Sequence, residues 1–123
     1  MTSKAAEGAG RRTAPEVLAV LTTAGSAAQA EELAAGAVEA RVAACAQVSA
    51  PITSYYRWEG AVQHDPEWQV LFKTAAARYE ALEAYLRDAH DYDVPEIIAT
   101  PVVRGSAAYL AWVTAESAPD TAL

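Results

Sequence analysis

The side chains whose types most suit metal ligation or proton transfer gather at a few places. They comprise two histidines, His64 and His90, one cysteine, Cys45, and a group of carboxylates after the second histidine, Asp91, Asp93 and Glu96. An imidazole at His90 with the carboxylates of Asp93 and Glu96 offers nitrogen and hard oxygen donors to a divalent cation. Two histidines far apart in the chain cannot fill a four-ligand site alone. Three copies of His90 around a symmetry axis would supply three imidazoles. His90 also falls where a helix should end, and a cation there is favoured by the helix dipole. Capping and ligation therefore both stand for this residue, while Asp91 and Asp93 serve equally well as a solvated loop.

A second group is aromatic. Tyr55, Tyr56 and Trp58 stand together, followed by Glu59, and Lys73 lies on the next extended segment. Glu59 and Lys73 read either as a cross-strand ion pair or as the polar part of a ligand pocket walled by those aromatic rings. Cys45 sits between alanines and reads as a small buried hydrophobe, with a reactive thiol or soft metal ligand as the alternative. His64, beside Asp65 in a Pro-containing stretch, reads as a solvated loop histidine. No GxGxxG, GxxxxGK[ST], GxSxG or HExxH motif is present, and no catalytic constellation assembles from spacing. These residues point to a binding or assembly protein rather than an enzyme.

The elements that must hold these residues follow from hydrophobic period. Glu16 to Thr23 is a buried strand. Ser26 and Gln29 form a capping box that opens a helix, with Ala30, Leu33, Ala34, Ala37, Val38 and Val42 along its apolar side. Cys45 to Trp58 is extended, with a bend, bulge or edge position at Pro51. Turn signals occur at Glu59-Gly60 and again at His64-Asp65-Pro66. From Glu67 to Thr74 the residues alternate, with Trp68, Val70 and Phe72 on one face. Arg78 to His90 is a second amphipathic helix, and Glu96 to Val103 a fourth strand interrupted by Pro101. A last helix opens at Gly105-Ser106 and carries Tyr109, Leu110, Trp112 and Val113. The order predicts an α+β fold, a ferredoxin-like β-α-β-β-α-β sandwich with a long central hairpin and an extra C-terminal helix.

Residues 1–13 read as a disordered leader, 14–116 as the domain and 117–123 as a loose tail. One sheet face is left uncovered, and an aromatic hairpin on it invites a symmetric homo-oligomer. The net charge of −7 and the absence of a basic stripe exclude nucleic acid and anionic membrane as partners. A single cysteine and the lack of a secretory signal or spanning segment place the chain in the cytoplasm.

Several segments together resemble the CutA family of divalent-cation tolerance proteins. They are Val20-Leu21-Thr22-Thr23-Ala24, Arg41-Val42-Ala43-Ala44-Cys45-Ala46, Ser54-Tyr55-Tyr56-Arg57-Trp58-Glu59-Gly60, Phe72-Lys73-Thr74, Tyr92-Asp93-Val94-Pro95-Glu96-Ile97-Ile98 and Tyr109-Leu110-Ala111-Trp112. The resemblance runs from about Glu16 to Glu116. It implies a homotrimer of ferredoxin-like subunits held by strand pairing, and a role in tolerance of copper and other divalent ions. It also implies an architecture similar to PII-type signalling proteins, which bind small molecules in clefts between subunits. Some members carry a cysteine in the first strand and paired histidines at the end of the second helix, proposed as copper ligands. Here Thr22 and Ala89-His90 stand at those places, so any metal would rest on His90 with carboxylates, copper(II) being the tightest divalent ion.

Overall fold

The computed structural model describes residues 16–120. The expected leader at residues 1–13 and the last three residues of the expected tail lie outside the described residues. The elements run β1 (Val17–Ala24), α1 (Ala27–Glu39), β2 (Cys45–Trp58), β3 (Ala61–Ala75), α2 (Tyr79–Ala89), β4 (Ile98–Pro101) and α3 (Ala107–Glu116), with a short 3₁₀ turn, Ala76–Arg78, leading into α2. The four strands form one antiparallel sheet in the order β2-β3-β1-β4. This is the ferredoxin-like arrangement expected from the element order.

Strand alternation decides which side chains enter the core. Val20, Val70 and Phe72 share a face and pack against Ala30, Leu33 and Ala37 of α1 and Leu82 and Leu86 of α2. The small residues of α1 allow close approach. A Cβ on Gly36 would fall 1.7 Å from the Tyr85 hydroxyl, so the two helices meet there only because the position is glycine. Val38, expected on the apolar side of α1, is exposed instead.

Beneath the other sheet face, α3 covers one end only, through Val113 against Val17 and Ala44. Its C-terminus is tied down by two arginines. Arg41 donates from Nε to the Ala118 carbonyl at 2.9 Å, and Arg78 donates from Nε to the Ser117 carbonyl at 2.8 Å. These cations satisfy orphan carbonyls and oppose the negative helix end. Ser117 is fully buried, with its hydroxyl donating to Val113 O and accepting from the Ala75 amide. The expected loose tail therefore does not begin at Ser117, because that hydroxyl closes the junction of α3 with β3.

The turn assignment at His64–Pro66 is also corrected. The hairpin turns at Glu59-Gly60, whose φ angles of 50° and 81° fit a two-residue type I′ turn. His64, Asp65 and Pro66 then lie inside β3, facing Tyr55, Ser54 and Thr53 of β2. Pro66 is tolerated because β1 pairs only with Trp68 to Ala75, leaving Pro66 without a ladder partner on that side. β2 is an edge strand with a bulge between Val48 and Pro51, as Pro51 suggested. Ser49 Oγ accepts from the Gln69 amide at 2.9 Å and so replaces a ladder bond lost at the bulge. The fourth strand is shorter than expected, because Pro101 closes it. Among the described residues no helix is long and apolar enough to cross a membrane.

Candidate functional site: an acidic, aromatic cleft

The register of the hairpin assembles a site on the sheet face away from α1 and α2. Ser54 stands opposite Asp65, and Ile52 opposite Glu67. Alternation from these pairs places Ser54, Tyr56 and Trp58 of β2 on one face with Asp65 and Glu67 of β3. Thr23 of β1, opposite Gln69, comes to the same face. The loop between α2 and β4 closes the far side with Tyr92, Asp93, Val94 and Glu96. The resulting cleft, open to solvent, measures about 770 Å³.

Two phenols hold the carboxylates in place. The Tyr92 hydroxyl donates to Glu67 Oε2 at 2.9 Å, and the Tyr56 hydroxyl donates to Asp65. Burial, and then the bond to Glu67, push the Tyr92 phenol well above its ordinary pKa. For Tyr56 the bond to Asp65 is the main cause of a rise in the same direction. Both hydroxyls therefore remain donors at neutral pH. Gly25 gives the Tyr92 ring its seat, since a Cβ there would lie 3.0 Å from the phenol oxygen.

His90 positions this loop. Its Nδ1 accepts from the Tyr92 amide at 3.1 Å, so Nε2 carries the proton and donates to the Thr23 carbonyl at 2.8 Å. Both ring nitrogens are thus engaged in joining the end of α2 to β1. The imidazole also lies against the Tyr92 ring, with centroids 4.8 Å apart. Gln29 secures the next residue by accepting from the Asp91 amide at 2.7 Å. That bond corrects half of the expected capping box. Ser26 Oγ accepts from the Gln29 amide at 3.1 Å, but the Gln29 side chain reaches to Asp91 and Glu32 instead of back to Ser26.

The sequence-derived residues divide accordingly. Tyr55, Tyr56 and Trp58 line the cleft together with Asp93 and Glu96. Glu59 and Lys73 do not. Glu59 forms the turn, while Lys73 pairs in register with Cys45 at the opposite end of the hairpin and donates to Gln47 Oε1 at 2.8 Å. No cross-strand pair between them exists, because the two-residue turn sets them a full hairpin length apart. His64 is a strand residue stacked on Tyr55 at 5.2 Å, not a loop histidine. Cys45 is half-buried rather than buried, with Sγ 3.7 Å from the Tyr109 hydroxyl.

Thr22 is fully buried on the helix-facing side, and its hydroxyl has no partner. Among the described residues, no group of three or more His, Cys, Asp or Glu side chains converges as a metal cage. Residue types alone did not bring Thr23, Asp65, Glu67 and Tyr92 forward. The signal for the strand carboxylates is period two, readable once the turn is fixed at Glu59-Gly60.

Known proteins share this architecture. The profile of the family described as CutA1 divalent ion tolerance protein matches residues 18–116. The divalent-cation tolerance protein CutA of Citrobacter koseri is 39% identical over 101 residues, covering 82% of this chain and 88% of that protein. Among solved structures, the divalent cation tolerance protein Cut A1 of Thermus thermophilus superposes with a TM-score of 0.79 at 37% identity, covering 81% of this chain and 97% of its own. CutA of Xylella fastidiosa gives a TM-score of 0.82 at 33% identity, covering 84% and 99%. The matched span runs from β1 through α3 and so includes the bulged hairpin, the Tyr92–Glu96 loop and the cleft between them; the chain belongs to the CutA family of divalent-cation tolerance proteins.

Proposed function

We propose that this chain acts as a cytoplasmic homotrimer in tolerance of divalent metal ions, and that it does so by binding the ions, copper(II) included, rather than by catalysing a reaction. The observation that carries the reading is the cleft itself. Asp65, Glu67, Asp93 and Glu96 line it, and no lysine, arginine or histidine does. A cleft lined by one sign of charge concentrates counter-ions, and carboxylate oxygens are donors that divalent cations take, although among the described residues of one subunit no three of them converge on a point. Among such ions copper(II) binds most tightly to a given donor set. His90 would join a ligand set only by giving up its bond to Thr23 O or to the Tyr92 amide.

Trimer formation is supported by the outer half of the hairpin. Tyr55, Trp58 and Val62 are 72%, 56% and 63% exposed on a two-stranded ribbon whose outer edge is free. Such a ribbon is marginal in water without a partner. The lone cysteine supports a reducing compartment.

Native mass spectrometry with and without copper(II) tests both parts. Three subunits with a fixed, saturable number of ions are expected, and fewer ions in Asp93→Asn/Glu96→Gln. A monomer, or graded adducts without saturation, would defeat the reading. His90→Ala separates the roles of the imidazole: unchanged stoichiometry leaves it a positioning residue. A second reading, a small-molecule sensor of the PII-like kind, is favoured by the aromatic walls of the same cleft.

A further inference from the structure

We draw no further inference here: the strongest candidate, the half-buried Cys45 thiol at the root of the hairpin, 3.7 Å from the Tyr109 hydroxyl of α3, is a lone cysteine on the sheet face left for a second copy, and no second observation there points to a ligand.

Discussion

The long hairpin contains two regions with opposite fates. At its root, where β1 flanks β3, Val70 and Phe72 are completely buried under α1 and α2. In its outer half, beyond the reach of β1, Tyr55, Trp58 and Val62 stand exposed. Both regions are antiparallel, both alternate, and both are rich in aromatic and β-branched residues. The difference lies in what is available to cover them. The root is completed by its own chain, so its apolar side chains stabilise the subunit. Among the described residues only the loop after α2 reaches the outer half, so Tyr55, Trp58 and Val62 are left for a second copy or a ligand. The bulge between Val48 and Pro51 marks the border between them.

Substitution at the root should have the largest effect. Phe72→Ala is expected to cost about 3–5 kcal/mol, from lost transfer energy and the cavity left behind. Urea denaturation followed by far-UV circular dichroism measures it. A cost below about 1 kcal/mol would mean that the root is not the core.

Thr22→Val sharpens the comparison from within the root, because it removes a buried hydroxyl that has no partner. A gain of about 1 kcal/mol is expected in the same denaturation experiment, since an unsatisfied buried group carries a penalty of about 1–3 kcal/mol. A loss of stability would show that the hydroxyl is paired in solution.

In the outer half the expected signature reverses. The double change Tyr55→Ala/Trp58→Ala should leave the far-UV spectrum intact and lower the subunit number seen by native mass spectrometry. Collapse of the fold comparable to that of Phe72→Ala would erase the distinction between root and outer half.

The smallest effect is at alkaline pH. The Tyr56 and Tyr92 phenols have pKa values above the ordinary 10.0 in the folded chain. Their contribution to stability is fully present below pH 10 and is lost as the pH rises through the folded values. Absorbance at the phenolate band should show most tyrosines titrating late, these two among them, and Glu67→Gln should bring one transition, that of Tyr92, forward. Ionisation of Tyr92 at its ordinary pKa would contradict the contact with Glu67.

Much of the fold was legible because it depends on local pattern. The period of α1, the Ser26 cap, the alternation from Trp68 to Phe72 and the breaker at Pro51 each follow from neighbouring residues. The misreadings share a cause. His64-Asp65-Pro66 has turn composition, yet it lies in a strand because the left-handed Glu59-Gly60 pair had already reversed the chain. Glu59 and Lys73 both belong to the hairpin, but their separation depends on register, which the turn sets.

The sequence by itself determined the order of elements, the apolar faces that make the core and the family to which the chain belongs, because period and caps act over a few residues. Only the tertiary structure decided the site. It brought Thr23 of β1, Asp65 and Glu67 of β3 and Tyr92 of the loop after α2 around one space, and it committed both nitrogens of His90 to holding that loop. Those groups are distant in the chain, and their meeting depends on strand order and register, which many non-local contacts fix together.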